Sequence, residues 1–418
     1  MGSIGMPSDY SSRHFLVISE RKLAFLEINL AESVFLSVNF WRSQMKLKHE
    51  AFISFAVPMT KFVWLLAVAF LGFVFSQSIA FGISTFSTGM VQPETISPAP
   101  DNFAGHGGDY FVPDFGGSVP ANSKIWIVPQ AGGSPTQFVA TPDAFYRGGT
   151  FLPSSWGTMA GDFATAGVSS GSPAGRVDIF SGTGTRTIFE SVAGDSFGVP
   201  LIAPSSFGTF GGDLLVTGVT SQSLFAVAPS GTMTTIASSG LPLDPGALAF
   251  SPTNFGSRSN ELFVDSLFGG QIETVNANGM ATPYATIPLK AGQVSTVQMA
   301  FSPAGFFPGT GPLLFVSVRA STAGGGALGD VYALNANGTI VADLRSDLGL
   351  TAFDPRGLFF PTDNSLLISN TSDSAHSMFL VTSTDFKTVP DSGSTFGLLS
   401  ASLIGLFGAT RFRFRQVA

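Results

Sequence analysis

The chain has 418 residues, of which 44% are hydrophobic, 12% aromatic and only 11% charged, with a formal net charge of −7 and no cysteine. The absence of cysteine excludes a disulfide framework and any thiolate nucleophile or metal site. Residues 81–391 carry 22 acidic against 10 basic side chains, a net of −12. That balance argues against a nucleic-acid partner, which needs a basic face, and suits solubility and divalent cations outside the cell.

Residues 1–58 show no repeat and no clear pattern, and form an unassigned N-terminal extension; Met45 and Met59 are both plausible starts, so part of this stretch reads as an over-extended gene start. Met59 opens a better-defined segment. Lys61 is followed by an apolar run over 62–75 and then by Ser78-Ile79-Ala80. A basic start, an apolar middle and a small-x-small end make a secretory signal peptide over 59–80, with cleavage expected after Ala80. The alternative is an N-terminal membrane anchor.

Residues 81–388 are organised by a repeat, which is the first thing to seek in a long chain. Strands end in proline at Pro98, Pro153, Pro204, Pro252, Pro303 and Pro361. A short apolar strand follows each: Asp109-Tyr-Phe-Val, Asp162-Phe-Ala-Thr, Asp213-Leu-Leu-Val, Glu261-Leu-Phe-Val, Leu313-Leu-Phe-Val and Ser365-Leu-Leu-Ile. A hairpin turn then recurs at Gly132-Gly133, Gly182-Thr-Gly184, Ser230-Gly231, Asn278-Gly279, Asn337-Gly338 and, more weakly, Ser383-Thr384. The Asn-Gly pairs predict type I′ turns, with positive φ at both central residues. Units of about 50 residues with room for four short strands each predict an all-β fold, a β-propeller of six four-stranded blades. Residues 81–91 are expected to supply a strand that closes the ring by pairing with the last blade. The phenylalanines Phe207, Phe210, Phe255, Phe306 and Phe307, beside the loop before each second strand, are expected to pack between blades; the alternative is an exposed binding patch.

The last 30 residues read Val389-Pro390-Asp391-Ser392-Gly393-Ser394-Thr395, then fifteen uncharged residues over 396–410, then Arg411, Arg413 and Arg415 as a basic stop. As a helix the apolar segment covers about 22 Å, short for a hydrocarbon core of about 30 Å, with the arginines on the cytoplasmic side. This order of motif, apolar transmembrane helix and basic end resembles the PEP-CTERM class of bacterial sorting tails in its VPDSG variant. The resemblance covers only 389–418. It implies a Gram-negative host, an exosortase-type membrane protease as partner, membrane association through the helix before processing, and the cell envelope or extracellular matrix as destination. A plain C-terminal anchor or a buried final helix is the alternative.

Catalytic signatures are weak. Gly-x-Ser-x-Gly occurs around Ser169 and around Ser196, but neither serine is followed by the helix that a nucleophile elbow requires. The only histidines after the signal segment, His106 and His376, lie in Gly-rich or Ser-rich loops. Propellers commonly bind ligands at one mouth of the central channel, where the loops before the innermost strands converge. Taking the proline-ended strands as innermost, the candidate ligand-binding residues are Glu94, Arg147, Asp244, Gln298, Asp354 and Arg356. Asp244-Pro245 and Asp354-Pro355 open near-copies of one strand, and read either as turn residues or as a carboxylate-lined mouth able to hold Ca²⁺ through oxygen ligands. The body loosely resembles six-bladed NHL-type and gluconolactonase-like propellers. The latter use a channel metal to polarise a lactone, but their ligand set cannot be placed on positions of this chain.

The reading that follows is an exported, exosortase-sorted binding or scaffold propeller for exopolysaccharide or protein, with no catalytic residues assigned. The alternative is a metal-dependent lactonase or hydrolase at the channel mouth. The two differ in whether Asp244, Asp354 and a third oxygen donor converge on one ion.

Overall fold

The structure, a computed structural model, describes residues 83–388 apart from 118, 120, 121, 172, 322–328, 345–352 and 372–376. The expected signal peptide with Ala80, the tail from Val389 onward and His376 lie outside the described residues. No described helix is long and apolar enough to cross a membrane.

Among the described residues, twenty-five strands form six antiparallel sheets, the blades of a β-propeller. A strand β1 (Ser84–Ser87) comes first. Blade one is β2 (Ser97–Pro98), β3 (Tyr110–Asp114), β4 (Lys124–Val128) and β5 (Thr136–Ala140). Blade two is β6 (Ala144–Phe151), β7 (Phe163–Ser169), β8 (Ala174–Phe180) and β9 (Arg186–Ala193). Blade three is β10 (Leu201–Ile202), β11 (Leu214–Gly218), β12 (Ser223–Val227) and β13 (Met233–Ala237). Blade four is β14 (Pro245–Phe250), β15 (Leu262–Ser266), β16 (Gln271–Val275) and β17 (Ala281–Thr286). Blade five is β18 (Gln293–Phe301), β19 (Leu314–Ala320), β20 (Asp330–Leu334) and β21 (Ile340–Leu344). Blade six is β22 (Pro355–Thr362), β23 (Ser365–Asn370) and β24 (Met378–Thr382), with β1 as its fourth strand. A short β25 (Lys387–Thr388) adds to the outer edge of blade five.

Ring closure follows the expectation for 81–91: Ser84 pairs with Leu380 and Thr85 with Phe379. The weak sixth hairpin at Ser383-Thr384 does not form, for the same reason. The fourth strand of blade six arrives from the beginning of the chain, and residues 383–385 turn as a single 3₁₀ segment instead. The Asn-Gly turns also differ from the type I′ expectation. Gly279 and Gly338 have φ of 77° and 78°, but Asn278 and Asn337 are not in the left-handed region. The loops are longer than two residues: Gly279 N–H donates to Asn276 O, and Asn276 N–H to Met280 O. The same pattern joins Ala228, Gly231 and Thr232, and Asn335, Gly338 and Thr339. A right-handed turn followed by one left-handed glycine needs only that glycine at positive φ.

One sheet cannot bury both of its faces, and blade-on-blade packing solves this. Six apolar clusters sit at the six blade junctions. Phe207, Phe255, Phe306 and Phe307 are buried in them, at 8% exposure or less, and Phe210 packs against one. Phe207 meets Phe250 edge-on, and Phe255 meets Phe263 and Phe301, so the inter-blade reading of these rings holds.

Nearer the axis the seams become polar. Ser97 Oγ donates to Gly149 O, Thr217 Oγ1 to Gly246 O, Thr296 Oγ1 to Ser266 O, Ser317 Oγ to Arg356 O and Ser369 Oγ to Glu94 O. Each bond joins neighbouring blades.

Candidate functional site: the channel mouth

The first strand of each blade, together with the residues just ahead of it, lines the central channel. Blade one contributes Glu94 and Thr95, blade two Arg147, blade three Gly198 and Val199, blade four Gly246, blade five Val297 and Gln298, and blade six Arg356 and Gly357, with Leu267 from the turn just after β15. The glycines let the wall close tightly. A Cβ on Gly357 would sit 2.2 Å from Glu94 O. The enclosed space is correspondingly small, with a volume of ≈ 10 Å³, room for about one water-sized group.

Four of the six residues singled out in the sequence, Glu94, Arg147, Gln298 and Arg356, therefore meet at one place. Asp354 stands behind Arg356 and is consumed by the fold. Its Oδ1 accepts from Ala320 N–H, and its Oδ2 accepts from Arg356 Nη2 at 3.1 Å and Thr371 Oγ1 at 2.6 Å. Asp244 does not line the channel. Its backbone φ is 51°, and its carbonyl accepts from Leu267 N–H, as expected of a turn residue that tolerates the left-handed region. Among the described residues no group of three or more His, Asp or Glu could hold a metal ion.

Sequence reasoning missed Arg319. It lies near the end of β19, a second strand, away from the innermost strands that carry the other candidates. Its signal was present in Leu314-Phe-Val-Ser-Val-Arg319, a cation ending an otherwise apolar run.

The electrostatics are those of crowded cations. Arg147 and Arg319 both have pKa values lowered, first by burial; repulsion from Arg356 adds to this in each, while Glu94 opposes it. Glu94 is raised, first by burial, with Arg356, the Gln92 side chain and Arg147 pulling back. Gln92 Nε2 donates to Glu94 Oε1 at 2.9 Å. Arg147 also lies over the Phe115 ring at 5.6 Å. The Nε atoms of Arg147, Arg319 and Arg356, and Oε1 of Gln298, are sealed from solvent and have no hydrogen-bond partner. In blade two Arg176 and Arg186 both bind Asp143, at 3.0 and 2.5 Å, and Arg176 also binds Asp178 at 2.8 Å, although Arg176 Nη2 is itself sealed without a partner.

The other sequence candidates stand apart from the channel. Ser169 ends a strand and Ser196 follows Asp195 in a loop; no helix follows either. Asp195 accepts from Ser196, Thr220 and Ser221 N–H groups and holds its loop together. His106 is a loop residue 3.4 Å from Asp109.

No family model and no curated protein matches the sequence. Solved structures of similar shape include a gluconolactonase from Xanthomonas campestris, 12% identical over 72% of this chain and 89% of its own, with a TM-score of 0.48. A calcium-binding regucalcin from Agrobacterium tumefaciens is 14% identical over 71% of this chain and 95% of its own, TM-score 0.46. A carbohydrate-active enzyme of family AA12 from Trichoderma reesei is 14% identical over 72% and 96%, TM-score 0.45. Such distant likeness transfers no site, and the blade count rests on the strand pairing of this chain.

Proposed function

We propose that the protein is an exported binding propeller, sorted to the cell envelope or extracellular matrix by residues 389–418, and that it holds an extracellular ligand, polysaccharide or protein, at the channel mouth. One observation carries the binding half of this reading. The Nε atoms of Arg147 and Arg356 and Oε1 of Gln298, all on channel-lining residues, lack partners, as does Nε of Arg319, which is electrostatically coupled to Arg356 and Glu94 behind that lining. A sealed polar atom without a partner costs stability, and natural proteins retain few of them. A ligand supplying the missing partners accounts for keeping them. The metal-dependent hydrolase reading has less support: it needs several oxygen donors around one ion, Asp354 already spends both of its oxygens, and the three arginines would repel a cation.

The sorting half rests on the tail motif and is tested separately. The intact mass of protein recovered from envelope and extracellular fractions of its host is expected to begin after Ala80 and to end within 389–394. Deleting 389–418 is expected to shift the protein out of its normal fraction. Retention of 396–418 in the recovered protein, or unchanged location after deletion, overturns sorting by an exosortase-type protease. The binding reading is tested by a glycan and peptide screen against the full chain and its Arg356→Gln variant, with loss of the wild-type ligand expected.

A further inference from the structure

The unmet hydrogen-bonding and charge requirements of the channel mouth specify the chemistry of its occupant; this inference rests on the binding reading above. Arg147, Arg319 and Arg356 face Glu94 and Asp354, a formal excess of one positive charge. Arg356 gives one hydrogen bond, to Asp354. The side chains of Arg147 and Arg319 donate none to any described residue. Arg356 and Gln298 are each only 8% exposed, and each still has an unpartnered atom at the channel. The occupant must therefore bring one negative charge with more than one acceptor oxygen, the arrangement that planar guanidinium groups bind best. It must also bring a hydrogen-bond donor, because Gln298 Oε1 can only accept.

The enclosed space holds about one water-sized group, so at most one oxygen of the occupant enters it and the rest of the occupant lies at the entrance or outside. There the chain offers an apolar platform. Phe268 directly follows the channel-lining Leu267 and is 57% exposed; Leu243, also 57% exposed, is tied to the same corner because its carbonyl accepts from Ser266 Oγ. An exposed aromatic ring can cover the C–H face of a sugar, whose hydroxyls remain available as donors.

We infer that the channel mouth binds the carboxylate of a uronate sugar, its charge among Arg147, Arg319 and Arg356, a neighbouring hydroxyl on Gln298 Oε1 and the sugar body against Phe268. A neutral sugar leaves the guanidinium groups unmet. A phosphate dianion brings a second charge that opposes Glu94. Glu94 also sets the pH response, because the groups facing it are Arg147, Arg356, Arg319, Asp354 and the Gln92 amide. Protonating Glu94 removes the one carboxylate that competes directly with the ligand, so affinity rises as pH falls from neutrality toward the raised Glu94 range.

The test is calorimetric titration of the full chain with sodium glucuronate, a uronate oligosaccharide, glucose, acetate and phosphate at fixed ionic strength. Uronates are expected to bind one per chain and to exceed acetate, phosphate and glucose by about tenfold or more, the worth of one charge-assisted hydrogen bond. The oligosaccharide arm separates a polymer-chain ligand, which gains affinity with length, from a free acid, which does not. Arg319→Gln is expected to lower uronate affinity about tenfold while raising the melting temperature, because an unpaired buried charge is removed. A purely structural arginine would give the opposite thermal result. Glu94→Gln is expected to tighten binding about threefold near neutral pH and to flatten the pH profile. Phe268→Ala is expected to weaken the oligosaccharide more than acetate. Uronates binding no better than acetate or phosphate, or binding that ignores both Arg319→Gln and Glu94→Gln, overturns the inference. Neutral glycans binding in place of uronates overturns it but leaves the binding reading standing, and no ligand of any class at the mouth removes both.

Discussion

Asp265 shows how much the inner ring tolerates for the sake of its geometry. Its Oδ1 accepts from Ala247 N–H at 2.6 Å, and among the described residues its Oδ2 has no hydrogen-bond partner and no cation pairs with it. Burial pushes its pKa up to about 7, with the bond from Ala247 N–H pulling back only in part. A carboxyl raised in the folded state contributes full stability below its unfolded pKa and loses it as pH rises through the folded value. The loss therefore runs between about pH 4 and pH 7 and amounts to the order of 4 kcal/mol. Asp265→Asn keeps an acceptor for Ala247 and removes the charge. Denaturant melts near pH 8 are expected to show a more stable variant, with the wild-type decline across that window largely gone. An unchanged decline would place the titrating group elsewhere. The same scale separates the legible from the illegible in the channel. Glu94, Arg147, Gln298 and Arg356 could be read because each sits ahead of or within a proline-ended strand whose place in the blade the repeat reveals. Arg319 could not, because its proximity to Arg356 is created by the pairing of β18 with β19 and by the junction with blade six. Asp244 and Asp354 open similar sequences, yet one is a turn residue and the other a buried acceptor; only the partners across the seam distinguish them.

Hairpins between third and fourth strands do more than reverse the chain. In blades four and five the hairpin also places its glycine hard against the outer strand of the preceding blade, whereas Gly184 and Gly231 in blades two and three meet nothing closer than 3.8 Å. A Cβ on Gly279 would come 1.9 Å from Ile236 O of β13, and one on Gly338 would come 2.7 Å from Tyr284 O of β17. In blade one the equivalent contact is Gly132 against Phe86 O, so β1 serves the first blade as well as the last. Two requirements meet at these glycines, positive φ and a close backbone approach. Gly279→Ala is expected to cost about 2 kcal/mol or more, since the left-handed backbone alone costs an L-residue about 1–2 kcal/mol and the carbonyl must also move. A variant within about 0.5 kcal/mol of wild type in a denaturant titration would show that blade contacts here are dispensable. The position of these turns was legible from Gly and Asn-Gly in the sequence. Their type was not, because loop length is fixed by where the pairing of the two strands stops, and each third–fourth strand pair carries a register shift.

At the scale of the whole ring, the six apolar junctions form one closed circuit, and the junction between blades six and one depends on the first residues described. It gathers Met90, Ile96, Tyr110 and Val112 with Leu367 and Met378, with Phe86 packed alongside. Deleting 83–90 removes β1 and Met90 and leaves β24 as a bare edge. Such edges invite pairing with other chains. The expected outcome is a broadened or split calorimetric transition together with concentration-dependent association in light scattering. A single transition at the wild-type temperature would show that the ring is held shut without its first strand. The six-fold pattern was readable in the sequence because every blade solves the same packing problem with the same residues, whereas closure depended on a stretch that carries none of the repeat's landmarks.

The pairing of β1 with β24 also fixes a timetable. The strand synthesised first in the propeller has its partner among the last to be made, so the barrier to completing the circuit includes bringing together the two most distant parts of the body, the kind of remote pairing that slows folding. Until blade six exists, Phe86 and its neighbours wait as an unpaired β-segment, and no sequence of earlier events can lock the ring. A chain delivered across a membrane in extended form would thus remain threadable for almost the whole of its passage, and would acquire its final rigidity in one step, on the far side, when its last blade meets its beginning.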